Sequence, residues 1–141
     1  MSSPKHDVRD LAARFARKAR SDEIALEKLA DDPDVPDDLI GFHAQQALEK
    51  LLKAALAYAG VTPPRIHDLG ELIAQLGDAG LSPPASASDA RALVPWAVEF
   101  RYEDILDERL DRTTACQTVV QVRAWVDGLL DGDEDAQSRG A

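Results

Sequence analysis

The chain has 141 residues, a formal net charge of −10 and a single cysteine, Cys116. This length suffices for one domain with its own core, and the acidity argues against broad binding of DNA, although a local basic pocket is compatible with it. One cysteine excludes a disulfide framework and a cysteine metal site. We find neither an apolar run of membrane-spanning length nor a signal-peptide core, so we expect a cytoplasmic protein without membrane contact.

The first predicted helix runs from Asp7 to Leu29. Apolar side chains recur along it at helical spacing and define one inward face: Val8, Leu11, Ala12, Phe15, Ala19, Leu26 and Leu29. Asp22 falls on this face, where burial of a carboxylate is costly unless the charge is paired. We therefore predict a partner for Asp22. The alternative is that the helix frays near Ser21.

The central element is a second predicted helix over residues 42–60, after an acidic, proline-containing loop. Its apolar stripe is broad, as expected for a helix packed against several others, and consists of Ala44, Ala47, Leu48, Leu51, Leu52, Ala55, Leu56 and Ala59. Asp37 or Asp38 is predicted to cap its start. Gly60 is predicted to end it in the left-handed conformation.

The opposite edge of the central helix is polar. His43, Gln46, Lys50 and Lys53 recur in steps of three or four residues and so share one face. Glu49 precedes Lys53 in the favourable i, i+4 order. On the residues alone, the simplest interpretation is a solvated surface, and the alternative is a binding face.

A short third helix is predicted after residues 61–66, where two prolines prevent the helix from continuing. It should begin after His67 and Asp68 and end at Gly77 or Gly80. In the simplest interpretation His67 only caps this helix.

Two further helices are predicted in the second half of the chain. One covers residues 89–100 and is kinked or divided at Pro95. The last helix is predicted to begin at Asp111 or Thr113. The residues on its inward face are Ala115, Cys116, Val119, Val122, Val126, Leu129 and Leu130. Short loops between helical segments are the pattern of antiparallel neighbours.

The charged segment after Leu130 has no apolar periodicity. We therefore expect one all-α domain over residues 1–130 and a disordered acidic tail over residues 131–141.

Three tracts give the chain a resemblance to a known family. They are residues 44–54, His67-Asp68-Leu69 and Arg101-Tyr102, and Asp22 of the first helix fits with them. In their order and spacing the chain resembles the HEPN domain family over most of its length. The resemblance implies an up-and-down antiparallel bundle of four main helices with a short extra helix, often dimeric.

The resemblance implies two different functions. Many family members are ribonucleases or toxins with an Arg-x4-6-His motif, in which His moves protons and Arg stabilises the charged phosphate. This chain lacks the motif, because His6, His43 and His67 all precede Arg101 and none follows an arginine at that distance. It is more similar to the branch that carries an Arg-Tyr tract, whose members often occur with a minimal nucleotidyltransferase, as in toxin–antitoxin pairs.

The sequence thus favours a non-catalytic module that binds a nucleotide or a nucleotidyltransferase partner as a homodimer. The candidate site residues are Asp22, Gln46, Lys50, Lys53, His67, Arg101 and Tyr102. Arg101 and the two lysines would contact phosphates, and Asp22 would orient Arg101. We expect no cofactor, and no metal because no His–carboxylate pair has ligand spacing on one helix. The alternatives are an atypical ribonuclease with His67 or His43 as base, and a purely structural dimer.

Overall fold

The computed structural model describes residues 4–84 and 110–139 of the chain. Every regular element within these ranges is an α-helix: α1 (Pro4–Leu29), α2 (Asp37–Tyr58), α3 (Leu69–Asp78) and α4 (Arg112–Arg139). The predicted all-α class is therefore confirmed. The helix predicted over residues 89–100 and the Arg101-Tyr102 tract lie outside the described residues.

α2 is the centre of the described bundle. It packs against the other three helices, most extensively against α1. Fourteen of its 22 residues are buried, so the broad apolar stripe is confirmed. The largest apolar side chains of α2 that are fully buried are Ile40, Leu48, Leu51, Leu52 and Leu56. Burial of each contributes about 2 kcal/mol, which makes α2 the main source of packing energy in this part of the chain.

α1 and α4 run antiparallel to each other. Arg112, at the start of α4, donates to the carbonyl oxygens of Ala30 and Asp32 just beyond the end of α1, at 3.0 Å each. Further along α4, Arg123 donates to the carbonyl oxygen of Ala16 at 2.8 Å. The two helices touch far less than α1 and α2 do. They leave an open groove, called here the α1–α4 groove.

Glycines end α2 and α3. Gly60 has a φ of +85°, and the following N–H, that of Val61, donates to the carbonyl oxygen of Leu56 at 3.0 Å. This is the Schellman arrangement, which favours glycine because the left-handed conformation strains residues with a Cβ. Gly80 ends α3 in the same way. Of the two glycines predicted to end that helix, Gly80 and not Gly77 does so.

The predicted cap of α2 is wrong. Pro36 occupies the N-cap position without a side-chain hydrogen bond, and Asp37 and Asp38 lie inside the first turn. Carboxylates there still favour the helix through its dipole. Asp37 has a long-range role instead: it accepts hydrogen bonds from Arg112 Nε at 2.8 Å and from the Leu110 amide at 3.2 Å. These bonds fix the start of α4 against the start of α2.

Asp111, one of the two predicted starts, immediately precedes the first residue of α4, Arg112. The Asp111 carboxylate accepts the Thr114 amide at 3.1 Å and the Thr114 hydroxyl at 2.8 Å, as an N-cap does. These hydrogen bonds lower the pKa of Asp111, and the bond from the Thr114 amide has the larger effect. The stabilisation that these hydrogen bonds give to the folded protein is therefore complete at pH values above the pKa of Asp111 in the unfolded chain. It is lost as the pH falls through the lower pKa of Asp111 in the folded chain.

The last helix is longer than predicted. α4 continues through Arg139, nine residues beyond Leu130, the last inward-facing residue predicted for it. The predicted domain boundary at residue 130 and the disordered tail over residues 131–141 stay predictions. Residues 131–139 contain no proline, and adding residues to an existing helix costs little. Asp131 and Gly132, the first residues of this extension, are exposed.

We expect this extension to contribute little to stability. Deletion of residues 132–141 should leave the melting temperature nearly unchanged, because the deleted segment has no apolar periodicity to bury. A truncation that also removes Val126, which is fully buried, is the control and should destabilise the protein. A loss of more than about 5 °C in the first variant, roughly 1 kcal/mol for a domain of this size, would contradict the expectation.

Candidate functional site

Asp22 has two partners, both on α2. Its Oδ2 accepts a hydrogen bond from Lys50 Nζ at 2.6 Å, and its Oδ1 lies 2.9 Å from His43 Nδ1. α1 is helical through Ser21 and Asp22, so the alternative of a frayed helix is wrong. The Asp22 side chain is only 9% exposed. The pairing of Asp22 with Arg101 stays a prediction, since Arg101 is not among the described residues.

A second buried carboxylate, that of Glu49, is bound in the same way. Its Oε2 accepts from Lys53 Nζ at 3.1 Å, and its Oε1 lies 2.8 Å from His67 Nδ1. Gln45 Nε2 is a third, weaker donor to Oε1 at 3.3 Å. Glu49 and Lys53 are both largely buried. The i, i+4 pair predicted on the helix surface is therefore part of the interior.

Gln45 holds the segment before α3 against α2. Its side chain is fully buried, and its Nε2 donates to the carbonyl oxygen of His67 at 2.9 Å. Its Oε1 accepts from Gln46 Nε2 at 2.7 Å. Because a buried amide is costly unless its polar atoms are bonded, these contacts fix the position of His67 as well as that of Gln45.

His67 does not cap α3. Asp68 is the cap and accepts the Glu71 amide at 3.2 Å. The His67 imidazole instead contacts Glu49, and 70% of its side chain is exposed. The interpretation of His67 as a helix cap is therefore wrong.

The polar face of α2, defined as His43, Gln46, Lys50 and Lys53, is not a solvated surface. His43, Gln46 and Lys50 are partly buried, and Lys53 is buried. The side chains of His43 and Lys50 are 24% and 27% exposed, and each contacts Asp22. Of the predicted site residues, Asp22 and Lys50 contact each other directly. Lys53 and His67 both contact the Glu49 carboxylate. The structure does not describe Arg101 and Tyr102.

The two carboxylate clusters share one chemistry: each carboxylate contacts one imidazole Nδ1 and one ammonium group. An ionised carboxylate only accepts hydrogen bonds, so Nδ1 carries the proton in each ring. Nε2 of the exposed His67 ring then has no partner among the described residues. It accepts a hydrogen bond or a proton when the ring is neutral and donates when the ring is protonated.

The charges of the two clusters balance one another, because the carboxylates of Asp22 and Glu49 are paired with the ammonium groups of Lys50 and Lys53. Within residues 4–84 and 110–139 no group of three His, Cys, Asp or Glu side chains could hold a metal ion.

A separate ion-pair network joins α1 to α4. Arg123 Nε donates to Glu23 Oε1 at 2.9 Å, and a terminal nitrogen of Arg123 contacts Glu23 Oε2 more closely still. The other terminal nitrogen donates to Asp127 at 3.1 Å. The hydrogen bond to Glu23 is the main cause of a raised pKa of Arg123. The Glu23 side chain is 7% exposed. The network closes the groove at its centre.

The predicted site residues did not include Gln45, Glu49, Glu23 and Arg123. One signal was available for Gln45: it precedes Leu52 and Leu56 by seven and eleven residues, which places all three on one helix face. A glutamine within an apolar stripe indicates a buried hydrogen-bonded amide. No comparable local signal marks the pairing of Arg123 with Glu23, because Glu23 lies on α1.

Of three comparisons with known proteins, one found a match. The family model described as the HEPN domain matches residues 12–129, which include α2 and α3 entirely and most of α1 and α4. Neither the curated proteins nor the solved structures include a significant match. Among the described helices, none is both long enough and apolar enough to cross a membrane.

Proposed function

The chain belongs to the HEPN domain family, and from this premise we propose that it is a non-catalytic nucleotide-binding module that acts with a minimal nucleotidyltransferase in the cytoplasm. The observation that supports the proposal most is that two buried carboxylates hold Lys50 and His67 at the border between the interior and solvent. Fixed donors of this kind lose little entropy when they bind a phosphate group.

Each donor retains capacity for a ligand. Lys50 Nζ has three N–H groups and uses one for Asp22, while its side chain is 27% exposed. His67 contacts Glu49 through Nδ1, which leaves Nε2 for a phosphate oxygen once the ring is protonated. Because the local charge is nearly balanced, we expect modest affinity that decreases as the salt concentration rises. Arg101 would add a further positive charge.

Nucleotide binding can be measured by thermal shift with ATP as the probe. We expect the melting temperature to rise with ATP concentration, and a hundredfold excess over the Kd corresponds to about 2.7 kcal/mol of stabilisation. His67→Ala should weaken the shift and change the ligand-free melting temperature only slightly, because the His67 side chain is mostly exposed. Lys28→Ala, which removes an exposed cation from α1, is the matched control. Absence of any shift with ATP and the other nucleoside triphosphates would reject the binding site.

The partner is tested independently of the ligand. If a small nucleotidyltransferase is encoded beside this chain, the two proteins should copurify when expressed together. A neighbouring nucleotidyltransferase that remains unbound would reject the partner while leaving nucleotide binding intact.

One observation supports an alternative function, that of an atypical ribonuclease. His67 Nδ1 lies 2.8 Å from Glu49, and this orientation of an exposed imidazole suits a general base.

We nevertheless expect the purified protein not to cleave generic single-stranded RNA above background. The Arg-x4-6-His motif is absent and the net charge of −10 repels RNA. The measurement is cleavage of labelled RNA in the presence of a chelator, with His67→Ala purified in parallel to detect contaminating nuclease. Cleavage that disappears in the variant would favour the ribonuclease.

A further inference from the structure

The α1–α4 groove contains a cavity that the proposed nucleotide site does not use. Its volume is about 370 Å³, and the described residues that line it are Ala16, Arg17 and Arg20 of α1 and Arg123 and Asp127 of α4. Among these residues, three guanidinium groups and one carboxylate give an excess of two positive charges. Arg20 precedes Asp22 by two residues, or about 200° around the helix. The cavity and the Asp22 cluster therefore lie on opposite sides of α1.

The three arginines of the cavity differ in how firmly their present contacts hold them. Arg17 is exposed and makes no hydrogen bond or ion pair within the described part of the chain. Arg20 is paired with Glu27 at 2.8 Å, but both side chains are more than half exposed, so water screens this pair. Arg123 is fixed in place by Glu23. The cavity thus combines one rigid guanidinium group with two that can adjust to a ligand.

Asp127 indicates which kind of ligand fits. Its Oδ1 accepts a hydrogen bond from Arg123 Nη1 at 3.1 Å, so the rigid guanidinium group already binds a carboxylate at the edge of the cavity. Asp127 is half-exposed and lies four residues after Arg123 on the same helix. Because an exposed pair of this spacing is weak, a ligand carboxylate can displace it. Both N–H groups of Nη1 are then available to the ligand.

The surrounding charge favours an anion at this place. The first twenty residues contain six of the 16 Lys and Arg residues but only two of the 26 Asp and Glu residues. The first half of α1 is therefore basic in a chain that is acidic as a whole. Such a local excess of positive charge attracts anions to the neighbouring cavity.

We propose that this cavity binds a small dicarboxylate. One carboxylate of the ligand replaces Asp127 at Arg123, and the other binds Arg17, whose five N–H groups are all unused within the described part of the chain. The ligand thereby bridges the two walls of the groove, and its two negative charges match the excess of positive charge in the lining. A single carboxylate cannot make both contacts. The proposal does not depend on nucleotide binding.

Isothermal titration calorimetry at neutral pH and constant ionic strength tests the site, with succinate and glutarate as probes and acetate for comparison. We expect at least one dicarboxylate to bind at least about tenfold more tightly than acetate, because it contacts arginines on both helices. Arg17→Gln should raise the Kd of that dicarboxylate at least about fivefold, since it removes one charged donor. Asp127→Asn should lower the Kd at least about twofold, because it removes the competing charge.

Control variants separate a defined site from general attraction of anions. Arg14→Gln removes the same charge from the same helix, but Arg14 is exposed and lines a different cavity, so the Kd should change by less than about twofold. His67→Ala should leave the dicarboxylate Kd unchanged, and circular dichroism establishes that each variant is folded. Absence of dicarboxylate binding would overturn the proposal. So would equal losses in Arg14→Gln and Arg17→Gln, an unchanged Kd in Asp127→Asn, or a raised Kd in His67→Ala.

Discussion

Replacement of Glu49 by leucine should lower the free energy of unfolding by about 3 kcal/mol, because it leaves a largely buried ammonium group without its counter-charge. Lys53, the stranded partner, is 8% exposed, and Gln45 loses an acceptor at the same time. The measurement is chemical denaturation at neutral pH.

The partner variant makes this expectation specific to the pair. Lys53→Met should also destabilise, but the double variant Glu49→Leu/Lys53→Met should cost at least about 1 kcal/mol less than the sum of the single changes, because apolar residues of similar volume often replace a buried ion pair without loss. His67→Ala is the matched control: its side chain is 70% exposed, so its contact with Glu49 should contribute under about 1 kcal/mol. Additive losses in the cycle would show that Glu49 and Lys53 act separately.

Removal of Arg123 should have the second large effect. Arg123→Met leaves the nearly buried Glu23 carboxylate without its bidentate partner and removes one donor to the carbonyl oxygen of Ala16. We expect a loss of about 2 kcal/mol, somewhat below the range for complete burial because the Arg123 side chain is 20% exposed.

Arg20 provides an internal comparison for Arg123. It also approaches Glu23, at 3.9 Å, but its side chain is 51% exposed. Arg20→Met should therefore cost under about 1 kcal/mol, as exposed ion pairs do. Equal losses for the two variants in urea denaturation would contradict the structural role assigned to the Glu23–Arg123 pair.

Features governed by local spacing could be predicted from the sequence. The stripe from Ala44 to Leu56 gives α2 its buried face, and Gly60 marks its end because few other residues accept a positive φ. Asp22 was also informative: a carboxylate within an apolar face requires a partner, and it has two.

Features governed by distant contacts could not be predicted. Asp37 has the chemistry of a helix cap, but it binds Arg112, which is 75 residues later in the chain. Glu49 and Lys53 have the spacing of a surface pair, and the segment that contains His67 contacts Glu49 from outside α2. Periodicity describes which side of a helix is apolar. It does not describe which other segment covers the remaining side.

The contacts of Arg112 constrain how the loop between α1 and α2 can vary. The guanidinium group donates to the backbone carbonyl oxygens of Ala30, Asp32 and Val35, so these bonds depend on the path of the backbone and not on the side chains at those positions. Substitutions in the loop can leave all three bonds intact. An inserted or deleted residue between them shifts the carbonyl groups relative to one another, so that one guanidinium group no longer reaches all three. The loop is therefore tolerant of changes in composition and intolerant of changes in length.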